Sequence, residues 1–403
     1  MNLLRFDIQQ SRLIPFVAIS LLTTHLAVSF FDMEMYSASY AALAGMSLTF
    51  LVALFLLIRK KTLYSFDFVV LLFIFILEGI SLLNGTDWKN WLYSIFAISS
   101  YLFLFNFYKE KYHILVLGIL FVLSVATYCQ LYQCITHPEM WLIEEEKNFH
   151  GFILGGNYNG MGIRFIIALT MGILSLQYSK WFWLNLIPLF LCSFAILLMV
   201  RSMTSLSCLS LLLIFFLIRN QKILSLGIAG IYIGVLLFQT LVCFSGKGIE
   251  NNDLATWFVI DILGKDLTFT GRTELWDASI RIFADSPIWG YGFVDGDWFI
   301  ANMSSRAAGA HNFILNTMVY GGIILLILYI TIIFKSLQNL LRINDIYAKR
   351  LLLIFGVISI MMLFEAYPTP LVFLLLTIMY YYPGPYQQFN TNPNDRQQLR
   401  NYK

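Results

Sequence analysis

Residues 312–334 read NFILNTMVYGGIILLILYITIIF. This stretch has no charged side chain, and a helix of about 20 apolar residues is long enough to cross a bilayer. Further apolar runs along the chain bring the predicted number of transmembrane helices to about twelve. The last two runs are short and have Pro368 and Pro370 near their junction, so they could form a hairpin that does not fully cross. The predicted spans are 13–31, 37–58, 65–83, 90–108, 112–134, 156–177, 181–200, 203–219, 223–244, 312–334, 351–366 and 369–382.

The composition of the whole chain also indicates a membrane protein. Of its 403 residues, 59% are hydrophobic and 12% are charged, whereas a soluble domain has about 25% charged residues. A water-soluble domain of this length needs more polar residues to cover its surface. Because helices satisfy their own backbone hydrogen bonds in lipid, the sequence predicts an all-α, polytopic integral membrane protein.

The distribution of Lys and Arg predicts the orientation of the chain in the membrane. With the N-terminus in the cytoplasm, the inner segments carry most of the 26 basic residues, and the short inner turns are the most basic. An even number of spans then places both termini inside. The expected order is an N-terminal bundle of about nine spans at 1–244, a long extracytoplasmic loop at 245–311, and C-terminal spans with a cytoplasmic tail at 312–403.

A short amphipathic helix is predicted within the long loop. Residues 273–285 have one apolar stripe at helical spacing, which is typical of a helix at a membrane surface. Thr270 or Thr273 is the expected cap at its start. Asp277 precedes Arg281 by four residues, the favourable order for an ion pair on a helix.

Several charged residues lie where local structure does not explain them. Arg272 begins the amphipathic helix, where a cation opposes the helix dipole. Arg201 lies at the outer end of a span, between two helices, and Arg164 lies inside another span. Charges at such depth usually face a cavity or a partner, and the candidate partners of Arg164 are Glu78 and Glu365.

His311 and Asn312 lie at the junction between the long loop and the next span. Histidine can both take and give a proton near neutral pH, although a lone histidine is more often structural. We find no cluster with metal-ligand spacing, so no metal or other cofactor is expected. No nucleic-acid partner is expected.

A set of short motifs, in this order and spacing, resembles the O-antigen ligase and polymerase family of bacterial membrane glycosyltransferases. The resemblance is strongest over roughly 195–335, and the opening of the span near Asn159 is also similar. The motifs are Gly271-Arg272, Trp276, Pro287, Gly290, Gly292, His311-Asn312 and Gly321-Gly322.

The resemblance implies a GT-C-like fold of about twelve spans with a long outer loop. It implies a glycan donor on undecaprenyl pyrophosphate, whose anomeric carbon is attacked by an acceptor hydroxyl with inversion. The acceptor is another glycan or lipid A core. Membrane lipids, a flippase and a chain-length regulator are implied partners, and the scheme needs no metal.

The resemblance also assigns site residues. The two arginines and the histidine that are tied to catalysis in ligases fall on Arg201, Arg272 and His311, although Val200-Arg201-Ser202 departs from the usual ligase pattern. Binding of pyrophosphate or glycan is expected for Arg164, Arg281, Asn312, Trp276 and Asn159.

Three functions remain open at this point. A polymerase is favoured, because ligases often have a second histidine where this chain has Gly309. A ligase is the alternative. A transporter for the same lipid-linked glycan is less favoured, because transporters tend to show internal repeats, and we find none.

Overall fold

The computed structural model describes residues 16, 19–20, 36–60, 62–142, 160–218, 220–245, 257, 271–303, 309–367 and 369–384. Most of these residues are helical, and none of them lies in a strand. The helices of eight or more residues are α1 Tyr36–Lys60, α2 Ser65–Asn84, α3 Trp88–Phe107, α4 Tyr112–Thr136, α5 Met161–Ser175, α6 Trp183–Met199, α7 Met203–Leu217, α8 Gln221–Phe238, α9 Arg272–Asp285, α10 Gly296–Met303, α11 Phe313–Ile343, α12 Ile346–Phe364 and α13 Thr369–Tyr381.

Six helical segments within the described ranges are long and apolar enough to cross a membrane. The shorter helices α5, α7 and α13 are also apolar. The structure therefore confirms an all-helical membrane protein, whereas the number of twelve spans and the GT-C-like detail stay predictions. The predicted span 13–31 lies almost entirely outside the described residues.

The helices differ in how much of their surface is covered. Most residues of α5, α12 and α13 are buried, and these sequences are largely apolar. A helix that is apolar on every side belongs in a core, and these three helices form the centre of the bundle. By contrast, α6, α7 and α8 bury only a few residues each and expose leucine and isoleucine, as expected for helices that face lipid.

The two short spans predicted near the end of the chain correspond to α12 and α13. Helix α12 begins five residues before the predicted span and ends at Phe364, and Glu365 follows in extended backbone. Pro370 lies in the first turn of α13, where its missing N–H leaves no hydrogen bond unmade. The connection between these helices lies at the same end of the bundle as Arg272, because Arg272 contacts Glu365.

Helix α11 is kinked at two glycines. Gly321 and Gly322 have non-helical backbone angles, and Gly322 has φ 59°, ψ −153°, a combination essentially restricted to glycine. The kink leaves carbonyl groups of the preceding turn without helical partners. The loop 286–293 supplies these partners.

The hydrogen bonds between this loop and the kink are made by backbone groups. Tyr291 N donates to Val319 O at 3.0 Å, and Gly292 N donates to Tyr320 O at 2.8 Å. Gly292 has φ 85°, and a Cβ there would lie 2.6 Å from Ser81 Cα on α2. This tight turn joins α2 to α11 at the point where α9 leads into the bundle.

We expect Gly322→Ala to destabilise the protein. An added Cβ would lie 2.4 Å from the backbone carbonyl of Ile288, and alanine is strained at positive φ. The loss should be about 2–4 kcal/mol, read as a lower thermal unfolding midpoint of the detergent-purified protein.

Gly79→Ala is the matched control, because Gly79 lies inside α2 and its Cβ would meet nothing within 4 Å. That variant should be neutral or slightly stabilised. Equal midpoints for the two variants would show that the kink does not require glycine.

Candidate functional site

Arg272, His311 and Glu365 form a connected polar cluster. Arg272 Nη2 donates to Glu365 Oε1 at 3.1 Å, and His311 Nδ1 lies 2.9 Å from Glu365 Oε2. The side chains of Arg272 and His311 are 27% and 35% exposed, whereas that of Glu365 is 13% exposed. One carboxylate thus contacts two partly accessible groups, and both of them were predicted as catalytic.

Arg272 is positioned by the start of α9. The N-cap is Gly271, with φ 82°, and no side chain caps the helix there. The expected cap at Thr273 is therefore wrong, since Thr273 lies inside the helix, and Thr270 lies outside the described residues. Only glycine readily adopts this left-handed turn, and the turn directs the first residue of α9 towards the α12–α13 connection.

His311 is held by an unusual backbone conformation and by its neighbour. His311 has φ 46°, which residues other than glycine rarely adopt, and such strain is often found at functional sites. Asn312 is the N-cap of α11, since its side chain accepts a hydrogen bond from Leu315 N at 3.0 Å. The Asn312 amide also donates to Gln239 Oε1 and to Leu363 O, at 2.9 and 3.2 Å.

These contacts give Asn312 a structural role. Its side chain is fully buried, and it joins the start of α11 to the end of α12. Gln239 begins a π-helical turn, Gln239–Cys243, that continues α8, and such turns are frequent at functional sites. The expected contact of Asn312 with substrate is not supported by this burial.

Sequence reasoning missed the role of Glu365, which it considered only as a partner for Arg164. A signal was available, because Glu365 is the only acidic residue in the two predicted spans 351–366 and 369–382. An ionisable residue at a span end is a functional candidate in a membrane protein. What the sequence did not show is which cations it meets.

Tyr367 connects this cluster to the segment that carries Arg201. Its buried hydroxyl lies beside Ser205 and within electrostatic range of Glu365 and Arg272. Burial raises the pKa of the Tyr367 hydroxyl above its ordinary value, so the group stays protonated. Ser205 in turn accepts a hydrogen bond from Ser202 at 3.0 Å.

Arg201 itself is exposed and has φ 54°, a second left-handed residue at this end of the bundle. It makes no salt bridge with a described carboxylate. The structure therefore places the Arg201 turn near the cluster through Ser202, Ser205 and Tyr367.

Arg164 is buried inside the bundle. Its Nη1 donates to Gly160 O at 2.6 Å, and its guanidinium lies within electrostatic range of Tyr101. Of its two suggested partners, Glu365 pairs with Arg272 and His311. With 1% of its surface exposed, Arg164 does not reach the accessible side of the cluster.

The amphipathic helix is confirmed as α9, and its side chains have different roles. Trp276 is fully buried and packs edge-on against Phe238, with ring centroids 6.2 Å apart. In this arrangement the ring has a packing role, and the expected binding of substrate by Trp276 stays a prediction. Arg281 is 70% exposed and pairs with Asp277 at 2.9 Å, as its spacing predicted. Asn159 lies outside the described residues.

The cluster offers cations, a carboxylate and an imidazole. Across the part of the chain that the structure describes, no group of three or more His, Cys, Asp or Glu side chains could hold a metal ion. Where the two lie side by side, the guanidinium can bind an anion and the imidazole can accept or donate a proton beside it.

Comparison with known protein families gives a match over part of the chain. Residues 186–330 match the family model described as O-antigen ligase. The matched range contains Arg201, Arg272 and His311, and it ends before Glu365. No curated protein matches the chain. The match confirms the resemblance seen in the motifs, and over residues 186–330 the chain is similar to the O-antigen ligase family.

Proposed function

We propose that the protein is a bacterial cell-surface polysaccharide polymerase. It joins glycan repeat units that are linked to undecaprenyl pyrophosphate, as an inverting glycosyltransferase at the outer face of the cytoplasmic membrane. The observation that carries the proposal is the convergence of Arg272 and His311 on Glu365, at 3.1 and 2.9 Å. A transferase of this kind benefits from an anion-binding cation and a base side by side.

Arg272 acts on the donor in this proposal. Only its Nη2 atom contacts Glu365, and its other nitrogens make no hydrogen bond with a described residue, so they can donate to phosphate oxygens. A guanidinium stays charged in a partly desolvated site and binds phosphate through two parallel hydrogen bonds. It would stabilise the negative charge that develops as the bond between the anomeric carbon and pyrophosphate breaks.

His311 acts on the acceptor. Because Nδ1 contacts Glu365, Nε2 is the nitrogen that can take a proton. The acceptor hydroxyl oxygen forms a bond to the anomeric carbon, and its proton moves to Nε2. The electron pair of the broken carbon–oxygen bond leaves with the lipid pyrophosphate.

The other predicted residues have smaller parts in this scheme. Arg201 is exposed and could supply a second cation for the pyrophosphate. Asn312 positions His311 through its buried hydrogen bonds. A role of Asn159 in substrate binding stays a prediction, and we assign none to Arg164, which is buried.

The membrane arrangement is part of the proposal. It has about twelve spans, both termini in the cytoplasm, and the division into 1–244, 245–311 and 312–403. The charge distribution supports it, because the most basic short segments then lie inside. On this topology Glu365 faces outward, and a flippase supplies the lipid-linked substrate, with a chain-length regulator as a further partner.

A ligase is the second candidate. The description of the matched family names this activity, and both reactions use the same donor and the same chemistry. They differ in the acceptor, which for a ligase is lipid A core or a similar molecule. Gly309, where ligases often have a second histidine, favours the polymerase.

We expect purified protein to convert an undecaprenyl-pyrophosphate repeat unit into a ladder of longer lipid-linked glycans. The reaction should survive EDTA, because the proposed charge stabilisation comes from arginine. Gel or mass analysis of the products measures this. Transfer only after lipid A core is added would identify a ligase, and no reaction with either acceptor would refute both candidates.

Substitution of the proposed catalytic groups should stop chain extension while expression is retained. Arg272→Ala should lower the initial rate by about 10²–10³-fold, and His311→Ala by about 10²–10⁴-fold. Arg272→Lys should recover little, because an ammonium cannot bind phosphate through two parallel hydrogen bonds.

Arg281→Ala is the control, because Arg281 is exposed and pairs with Asp277 on the far side of α9. Its effect should be a few-fold at most. Full activity of Arg272→Lys would contradict the proposed phosphate contact.

A further inference from the structure

Glu365 contacts Arg272, which binds the donor in the proposed reaction, and His311, which acts on the acceptor. It uses a different oxygen atom for each contact. Oε1 accepts from Arg272, and Oε2 meets His311. Its side chain is largely buried, so water does little to screen its charge. If the contact of Arg272 with Glu365 changes, the electrostatic effect of the carboxylate on His311 therefore changes as well, and the reverse also holds.

We propose that Glu365 is a positioning residue that couples donor binding to activation of the acceptor. This inference rests on the proposed function. Without substrate, the carboxylate is shared between Arg272 and His311. When pyrophosphate binds, Arg272 gains a second anion and neutralises less of the charge on Glu365. The carboxylate then favours the imidazolium that forms when His311 takes the acceptor proton.

Glu365 also selects the nitrogen that acts. A carboxylate on Nδ1 holds the proton there and leaves Nε2 as the acceptor of a proton. Asn312 fixes the backbone on both sides of the contact between His311 and Glu365. It directly follows His311 in the chain, and its amide donates to Leu363 O, two residues before Glu365. The order of events is then donor first and acceptor second.

The test is the effect of Glu365→Gln on donor binding and on turnover, measured separately. Binding is measured with undecaprenyl pyrophosphate itself, and turnover with the repeat-unit assay. The variant should bind undecaprenyl pyrophosphate at least as tightly as the wild type, because Arg272 no longer has a competing carboxylate. Its kcat should fall by about 10²-fold or more, because the imidazolium loses its charge partner.

Matched variants separate this role from a structural one. Arg272→Ala should weaken undecaprenyl pyrophosphate binding, and His311→Ala should lower kcat with binding intact. Glu365→Asp, which keeps the charge, should recover part of the rate. Asp277→Asn removes a carboxylate that pairs with exposed Arg281 and should change neither quantity by more than a few-fold.

Three outcomes overturn the inference. Glu365→Gln could keep kcat within about threefold of the wild type, which would make the contact dispensable. It could lose donor binding as Arg272→Ala does, which would make Glu365 only a support for Arg272. Glu365→Asp could match Glu365→Gln. A wild type without any glycan transfer would instead refute the proposed function.

A second, independent observation concerns the other end of the bundle. The helices α5, α6, α7 and α12 surround a cavity of about 220 Å³. Its floor is made by buried leucines, and its rim includes exposed Ile187, Leu191 and Leu213, so it opens to the side of the bundle. The buried leucines are Leu169, Leu186, Leu209, Leu212 and Leu353.

The cavity is separate from the Glu365 cluster. It is lined by Arg350 and Leu353 from α12, and Arg350 precedes Glu365 by 15 residues, or about 22 Å along an α-helix. On α7 the lining residues begin at Leu209, beyond Ser205, which lies by Tyr367. The cavity thus lies in the opposite half of the membrane.

Arg350 is the charged residue in the lining. Its guanidinium lies 4.3 Å from the centre of the Phe216 ring and 5.3 Å from that of Tyr347, and it makes no salt bridge with a described carboxylate. An apolar groove that ends at an unneutralised, half-buried guanidinium matches the shape and charge of an anionic lipid.

We propose that this groove binds an anionic phospholipid of the leaflet opposite the candidate site. One acyl chain lies between α6 and α7, and the phosphate contacts Arg350. On the proposed topology this is the cytoplasmic leaflet.

Native mass spectrometry of the detergent-purified protein tests this, with dioleoylphosphatidylglycerol and dioleoylphosphatidylcholine as probes. The wild type should bind the anionic lipid about tenfold more tightly, because both lipids carry a phosphate but the choline ammonium of dioleoylphosphatidylcholine offsets that charge beside Arg350. Arg350→Gln should remove this preference. Arg342→Gln, at an exposed cation of the same end, should leave it unchanged. Leu212→Trp, which fills the groove, should weaken binding of both lipids.

Equal binding of the two lipids by the wild type, or an unchanged preference in Arg350→Gln, would overturn the lipid site. A retained polyprenyl species in place of phospholipid would show that the groove instead receives the donor's hydrocarbon chain.

Discussion

The rest of the site depends on the contacts that the Glu365 carboxylate makes with Arg272 and His311. A mostly buried charge is stable only when it is paired, and Glu365 meets that need with Arg272 and His311. Removing one partner leaves a buried charge that is less well compensated. The start of α9, the start of α11 and the α12–α13 connection are therefore held together by one group, and the two proposed catalytic residues come side by side as a consequence.

The backbone around this group is built to keep those three segments in place. Left-handed conformations occur at Gly271 and His311, next to the two side chains that contact Glu365. Asn312 caps α11 and binds the end of α12, and the glycine kink of α11 receives the loop that follows α9. A strained backbone conformation persists only where surrounding contacts hold it in place. The hydrogen bonds of Asn312 and those at the glycine kink do so here.

The amphipathic helix shows why a correct local prediction can miss a role. Its boundaries follow from spacing, and the structure has α9 within one residue of the predicted start. The apolar stripe, however, does not say what covers it. Trp276 packs against Phe238 inside the protein, whereas the pattern was equally compatible with lipid or a sugar ring. Arg164 is similar, since an arginine within a span predicts a partner but not that Gly160 O is among its contacts.

The sequence by itself determined the helical membrane fold, because long apolar runs in lipid can satisfy their backbone hydrogen bonds only by forming helices. It also determined the candidates Arg272 and His311, because short motifs keep their order and spacing along the chain. The tertiary structure decided their common partner. Glu365 lies 93 residues from Arg272 and 54 from His311, and no local pattern reports a contact across such separations. Only the packing of α9, α11 and α12 brings one carboxylate to both.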